Sequence, residues 1–118
     1  MATMSTSEIA TVLAWHDALA AGDLDTLEQL SSDDIEVADA DGAGQGHQAL
    51  RRWAETAAVN AGIGRMYVHD GVVVAELTPA GHGVAFRVVN DHVTAVFRHA
   101  DLDGALAATD LTEADRVD

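Results

Sequence analysis

Near residue 65 the apolar residues of this chain change from mainly helical to consistently strand-like spacing, and that change restricts the possible folds more than any other feature. Before it, residues at helical spacing mark one face of a helix, namely Ile9, Val12, Leu13, His16 and Leu19. After it, four β-rich runs are separated by short turns: Met66 to His69, Val72 to Leu77, Val84 to Val89 and Val93 to His99. Helices followed by consecutive hairpins predict an α+β fold, in which the helices cover one face of a curved antiparallel sheet.

The helix ends are predicted from capping residues. Ser5 has capping-box spacing for the first helix, and Asp23 can cap a short second one. A third helix is predicted from His47 to Val59, after a glycine-rich loop that ends at Gly46.

The whole chain is expected to form one domain. Its 118 residues are too few for two cores, so we expect a single domain over 1–118 with its core at about 8–106. Residues 1–5 and 109–118 are predicted to be loose tails.

The composition is strongly acidic. Twenty Asp and Glu residues face six basic residues, all of them Arg, for a formal net charge of −14. Such a surface repels nucleic acid and anionic membranes, so neither is expected as a partner. No apolar stretch approaches the roughly 20 residues needed to span a bilayer. The chain has no cysteine and no signal-like N-terminus, so we expect a cytoplasmic protein without disulfides.

Asp39 is the most informative single residue. It alternates with Ile35 and Val37, so a carboxylate ends an apolar strand face. Desolvation there would raise the pKa of Asp39 and make it a usable base or acid near neutral pH. The alternative is that the strand has already ended and Asp39 belongs to an acidic turn with Asp41 and Gly42.

Three segments carry a family resemblance: WHDALAAGDLD at 15–25, SDDIEV at 32–37 and GHQALRRW at 46–53. They resemble the nuclear transport factor 2-like superfamily, which includes ketosteroid isomerases, SnoaL-like polyketide cyclases and limonene epoxide hydrolases. The resemblance covers about Glu8 to Leu106. It implies a cone-shaped curved antiparallel sheet wrapped around N-terminal helices, but not one reaction, because this fold carries unrelated chemistries.

The resemblance also implies where a site would lie. Asp39 falls where similar ketosteroid isomerases carry their general base. Their tyrosine oxyanion donor matches Trp15, and their second donor, a protonated aspartate, falls near Val84. Neither residue supplies an acidic hydroxyl, which argues against steroid isomerisation by that route. The residues that match the family's cavity lining are Trp15, Trp53, Phe86 and Val96, although ordinary core packing explains them equally well.

Arg98 is the second candidate for catalysis. If the last strand keeps the family's register, Val96 and Arg98 face the cavity, and a buried Arg needs a carboxylate such as Asp39 or Glu76. An Asp and Arg pair resembles part of the site of limonene epoxide hydrolases. Two alternatives stay open: an exposed Arg98 near the sheet edge, and the opposite register, which turns Val93, Ala95 and Phe97 to the core.

Other titratable residues are weaker candidates for an acid–base or metal-binding role. His16 can act as an acid or base beside Trp15, or be a boundary histidine of the first helix. Asp101 lies where SnoaL-like cyclases place an acidic residue, but Asp101 or Asp103 can equally cap a last short helix. The six histidines lack metal-site spacing, so we expect no metal and no other cofactor.

Two functional classes fit these residues. The first is a cofactor-independent isomerase, cyclase or hydrolase that acts on an apolar or polyketide-like molecule by proton transfer, with Asp39, Arg98 and Asp101 as its candidate catalytic residues. The second is a non-catalytic domain that binds a hydrophobic ligand or only dimerises. The residues expected to contact a small hydrophobic molecule are Trp15, His16, Trp53, Val84, Phe86 and Val96. The resemblance further implies a homodimer formed through the sheet.

Overall fold

The computed structural model describes residues 2–39, 42–56, 62–78 and 81–117, with only the backbone at 2–7, 39 and 56. These residues form four α-helices, a 3₁₀ turn and six strands. In chain order they are α1 (Ala2–Ala21), α2 (Leu24–Gln29), β1 (Ser31–Asp39), β2 (Gly42–Gln45), α3 (His47–Thr56), β3 (Gly62–His69), β4 (Val72–Thr78), β5 (His82–Val89), β6 (His92–His99), α4 (Leu102–Thr109) and the 3₁₀ turn (Glu113–Asp115). The predicted α+β class, with helices before a run of hairpins, is confirmed.

The strands form one curved, open sheet in the order β2-β1-β6-β5-β4-β3. Neighbouring strands are antiparallel except β1 and β6, which run parallel with Val37 opposite Val96 and Ala38 opposite Phe97. The expected curved sheet is therefore mixed and not antiparallel throughout, because the chain returns to β1 only after the whole hairpin series. The glycine-rich segment 42–45 is strand β2 and not a loop, since it pairs with the end of β1.

The two faces of the sheet are covered by different helices. We call inner the face that packs against α1 and α3, and outer the face that packs against α4. The inner core contains both tryptophans, Trp15 and Trp53, together with Phe86. The outer core is smaller and is built from Tyr67, Val74, Ala85, Leu102, Ala105 and Leu111.

Gly83 lets α4 lie directly on β5. A Cβ atom at this position would stand 2.6 Å from the carbonyl oxygen of Asp101 and 2.7 Å from the Cβ of Ala105. Both distances are closer than real Cβ contacts allow, so the absence of a side chain sets how near α4 approaches the sheet. The first turn of α4 thereby covers part of the outer face.

Both predicted tails need correction. The helix α1 begins at Ala2, before the predicted cap Ser5, in a segment that contains no helix-breaking residue. Leu111 is buried, Tyr67 Oη donates a 2.7 Å hydrogen bond to Glu113, and the Val117 amide donates to the Met66 carbonyl at 3.0 Å. Residues 111–117 therefore pack along β3. The predicted end of the third helix, 57–59, lies outside the described residues.

Candidate functional site

An aromatic cluster fills the middle of the inner face. The ring centroids of Trp15 and Trp53 are 5.9 Å apart, and Phe86 meets Trp15 edge-on at 5.5 Å. Trp15 comes from α1, Trp53 from α3 and Phe86 from β5, so the three rings join helices to sheet. Such contacts add to the burial energy of the rings.

Trp15 is fixed by a buried hydrogen-bond relay. Its indole Nε1 donates to Ser31 Oγ at 2.9 Å, and Ser31 Oγ donates to the Leu27 carbonyl at 2.7 Å. Ser31 is itself buried at the start of β1. The relay satisfies the indole N–H and sets the orientation of Trp15 against the sheet.

Arg98 faces this cluster from the last strand. Its guanidinium carbon lies 5.2 Å from the centroid of the Trp53 ring, within the range of a cation–π contact. Arg98 pairs with Val84, and both lie on the inner face with Val96. The predicted family register is therefore confirmed for Arg98. A bulge between Val93 and Ala95 explains why Val93 is also an inner-core residue.

The Nε atom of Arg98 is buried and has no hydrogen-bond acceptor among the described residues. Glu76, one of its two expected partners, lies on the outer face and accepts hydrogen bonds from Arg65 at 3.1 and 3.2 Å. These bonds hold the pKa of Glu76 below its ordinary 4.5. The pairing of Arg98 with Glu76 is thus wrong, because alternation along β4 turns Ala75 and Leu77 inward and Glu76 outward.

Asp39, the other expected partner, has its side chain outside the described residues. Its backbone belongs to β1 and pairs with Gly42, so the strand continues through Asp39 and has not ended before it. Ala38 pairs with Phe97, and Asp39 and Arg98 are the next residues of the two parallel strands. The register therefore sets the two backbones side by side at the edge of the aromatic cluster.

Most of the predicted ligand-binding residues line one small space. Its lining comprises Trp15, His16, Leu19, Trp53, Leu77, Val84, Phe86 and Arg98. The volume is about 10 Å³, because the aromatic rings fill the inner face themselves. Val96 belongs to the same core but does not line this space. The sequence analysis predicted correctly that these residues lie close together. The open volume between them is no larger than a water molecule.

Asp101 takes the structural role that the sequence had left open for it. It is the N-cap of α4, and its carboxylate accepts a 2.7 Å hydrogen bond from the Gly104 amide. The side chain is exposed, and Asp101 does not line the aromatic space. Capping satisfies a helix-end donor and requires no chemistry.

Charged residues gather between α2 and α3. Arg51 donates to Glu28 and, at 3.0 Å, to Asp25, and the hydrogen bond from Arg51 is the main reason that the pKa of Glu28 lies below 4.5. His47 Nδ1 lies 3.8 Å from Glu28. Across the described ranges, no group of three or more His, Asp and Glu side chains has an arrangement that could hold a metal ion. The cluster ties α3 to α2.

Sequence reasoning missed a larger opening on the outer face. This groove has a volume of about 680 Å³ and lies between α4 and the strands β1, β5 and β6. Its apolar lining includes Ala38, Ala85, Phe97 and Ala108. The exposed fraction of Phe97, 37%, reflects this opening. In the part of the chain that the structure describes, no helix has the length and apolar character needed to cross a membrane.

Comparison with known proteins gives a consistent assignment. A sequence profile of the SnoaL-like domain matches residues 12–108. No curated protein sequence matches the chain. A nuclear transport factor 2-like protein of unknown function from Cytophaga hutchinsonii is similar in structure, with a TM-score of 0.70, 10% identity, and coverage of 78% of this chain and 88% of that one.

Two further solved structures have descriptive names. An epoxide hydrolase of M. tuberculosis, described as LEH-like, matches with a TM-score of 0.67 and 18% identity over 87% of this chain and 91% of that one. A Sinorhizobium meliloti protein, provisionally named a polyketide cyclase, matches with a TM-score of 0.61 and 19% identity over 76% of this chain and 94% of that one. At these identities the likeness establishes the fold. With its profile match over residues 12–108, this chain belongs to the SnoaL-like domain family.

Proposed function

We propose that this chain binds a small apolar molecule bearing a carbonyl group on the inner face of its sheet and moves a proton at the carbon beside that carbonyl. The observation that carries the proposal is Arg98, a cation stacked on Trp53 whose buried Nε has no acceptor among the described residues. A buried donor without a partner is costly, and a ligand oxygen would satisfy it. The aromatic rings beside it would contact the apolar part of the ligand.

Asp39 is the proposed base. It follows Ala38 in β1 as Arg98 follows Phe97 in β6, and Ala38 and Phe97 are paired. In the proposed step, the C–H bond beside the carbonyl breaks, its proton goes to the Asp39 carboxylate, and its electron pair moves to the carbonyl oxygen held by Arg98. The enolate then takes a proton back from Asp39 at carbon. This step begins both isomerisation and aldol-type ring closure, and it needs no cofactor.

Entry of a ligand requires one wall of the cluster to move. The space between the rings is about 10 Å³, whereas small-molecule pockets have volumes of roughly 300 Å³ or more. Trp15 is held by its hydrogen bond to Ser31. A rotation of the Trp53 ring would widen the space and would also separate Arg98 from the ring on which it stacks.

The test is proton exchange on a probe ketone. The probe is 2-tetralone, a planar apolar ketone, and ¹H NMR in D₂O follows the loss of its α-protons. We expect the wild type to accelerate the exchange, Asp39→Asn to lose about 10²-fold or more of the acceleration, and Arg98→Gln to lose part of it. The matched control is Arg52→Gln, because Arg52 is an exposed residue of α3.

Binding is followed separately by tryptophan fluorescence. An Asp39→Asn variant that still binds 2-tetralone but no longer exchanges its protons supports the assigned base. An unchanged exchange rate in Asp39→Asn would remove Asp39 from the mechanism. A wild type that gives no acceleration above buffer would overturn the catalytic proposal.

The second candidate is a domain without catalysis. The filled space among the described residues favours it, because rings that pack this closely serve as a core whether or not a ligand exists. This candidate predicts that 2-tetralone changes neither the fluorescence of the two tryptophans nor the unfolding midpoint. Saturable changes in both would favour the first candidate.

A further inference from the structure

The outer groove lies on the face of the sheet opposite the aromatic rings, and Phe86 and Arg98 line both openings. Its volume, about 680 Å³, lies within the range of roughly 300–1,000 Å³ for small-molecule sites. Ala38 and Phe97 form its floor, Ala108 and Thr109 of α4 form one wall, and Arg87 and His99 supply polar groups. The sheet itself divides this groove from the inner cluster.

The described ionisable residues of the groove are basic, although the chain as a whole is acidic. Among its described lining residues there is no Asp or Glu, and the ionisable ones are Arg87, Arg98 and His99. The side chain of Arg98 stacks on Trp53 at the other face, which leaves Arg87 and His99 for the groove. In a chain of formal net charge −14, a concave surface whose described ionisable residues are all basic favours an anion.

Arg87 and Arg52 differ from the other surface arginines, and of these two only Arg87 lines the groove. Arg51, Arg65 and Arg116 each lie within 4 Å of a carboxylate oxygen, whereas Arg87 has no such partner in the described residues. Arg87 follows Ala85 at the alternate position of β5, on the outer face where Ala85 is buried. Its guanidinium is thus available to a carboxylate, for which it has the appropriate two-pronged geometry.

The apolar lining determines which non-ionic part of a ligand fits the groove. Small side chains at Ala38, Ala85 and Ala108 leave the space open, and Phe97 offers a partly exposed ring. The helix α4 lies beside these residues and forms one side of the groove, since the absence of a side chain at Gly83 lets α4 pack closely on β5. The surface is therefore a cleft with one raised side, which suits a narrow apolar chain better than a second flat sheet.

We infer that this groove binds the carboxylate of an apolar carboxylic acid, with the acid group at Arg87 and the hydrocarbon along Phe97 and Ala38. The inference is independent of the proposed catalysis on the inner face. The proposed occupant is a small amphipathic anion, and a second copy of this chain is the rival occupant of the same surface.

The experiment is an NMR titration of the full chain with octanoate and, in parallel, 1-octanol. The two probes have the same chain length and differ in charge. We expect octanoate to give saturable amide and methyl shifts at the groove residues Ala38, Ala85, Phe97 and Ala108. We expect 1-octanol to bind at least about tenfold more weakly, since it lacks the ionic contact. Arg87→Gln should weaken octanoate about tenfold and leave octanol unchanged, while Arg52→Gln should change neither.

Four outcomes would overturn the inference. They are the absence of saturable octanoate binding, octanoate shifts that centre on Trp15 and Trp53, equal affinity for octanoate in wild type and Arg87→Gln, and a dimer. The dimer is measured by light scattering after size exclusion, with groove resonances that change on dilution. Phe97→Ala tests the apolar contact separately from the ionic one. It should weaken the binding of octanoate and of octanol alike, while the charge of the groove is unchanged.

Discussion

The two faces of the sheet use the same strands in opposite ways. On the inner face, Trp15, Trp53 and Phe86 leave about 10 Å³ between them, and Arg98 is stacked against the rings. On the outer face, alanines at 38, 85 and 108 leave a groove of about 680 Å³. The difference comes from the helices as well as the strands, because α1 and α3 place two indole rings on the inner face, whereas small side chains of β1, β5 and α4 line the groove. We therefore expect the inner face to contribute more to stability, and the open volume lies where alanine side chains face the groove beside α4.

The largest expected contrast is in stability. Trp15→Ala should cost about 3–5 kcal/mol in the free energy of unfolding, because a buried ring is lost and a cavity remains. Phe97→Ala should cost less than about 1 kcal/mol, since its ring is partly exposed already. Urea unfolding measures both. Similar losses for the two variants would contradict the assignment of the inner face as the stable one.

The position of α4 can be tested at Gly83. Gly83→Val places methyl groups where the Asp101 carbonyl and Ala105 already lie, so it should destabilise the protein by about 1–3 kcal/mol and shift the α4 resonances. Ala107→Val is the matched control, because Ala107 is an exposed residue of the same helix. If Gly83→Val were as stable as the control, α4 would not be packed closely on β5.

The C-terminal segment is expected to make a smaller contribution to the free energy of unfolding, through its contacts with the outer face. Tyr67→Phe removes the hydrogen bond to Glu113 and should cost about 1 kcal/mol near neutral pH. Burial, and then that hydrogen bond, raise the pKa of Tyr67 above its ordinary 10.0. The raised pKa gives a stabilisation that is complete below pH 10 and is lost as the pH rises through the folded value. Unfolding followed from pH 8 upward should therefore show a shallower alkaline loss in Tyr67→Phe. An identical alkaline slope would show that the phenol is not buried against residues 111–117.

The smallest effect is expected at the exposed ion pair of the outer face. Hydrogen bonds from Arg65 lower the pKa of Glu76 below 4.5, so its stabilisation is present above that pH and is lost as the pH falls through the lower folded value. Glu76→Gln should thus flatten the acid limb of the stability profile, whereas Glu36→Gln, at an exposed position of β1, should not. Equal acid limbs for the wild type and Glu76→Gln would mean that solvent screens the pair completely.

Local signals predicted the elements and several of their ends. Asp23 and Asp101 were recognisable as caps because capping depends on residues within one turn, and both accept the expected amide hydrogen bonds. The strand β2 was missed because its glycines read as a loop, and only pairing with β1 makes them extended. The parallel contact of β1 with β6 depends on a separation of about sixty residues, which no local pattern reports.

The grouping of the aromatic residues with Arg98 was predictable from the sequence, but the volume between them was not. Helical and strand spacing, together with the family resemblance, brought Trp15, Trp53, Phe86 and Arg98 to one place. Whether such residues enclose a cavity depends on side-chain conformations, which the sequence does not state. The outward position of Glu76 was available from alternation, since Ala75 and Leu77 are its apolar neighbours in β4. The outer groove was hidden because its alanines come from three separate elements.

The most direct test of the proposed site is a carbon-detected NMR titration of the Asp39 carboxyl group, in the wild type and in Arg98→Gln. The resonance is assigned by its loss in Asp39→Asn. If the two residues act together at the edge of the aromatic cluster, removal of the guanidinium must raise the pKa of Asp39, because a neighbouring cation stabilises the carboxylate. The control Arg52→Gln should leave it unchanged. A pKa of Asp39 that is the same in the wild type and in Arg98→Gln would contradict the proposed site.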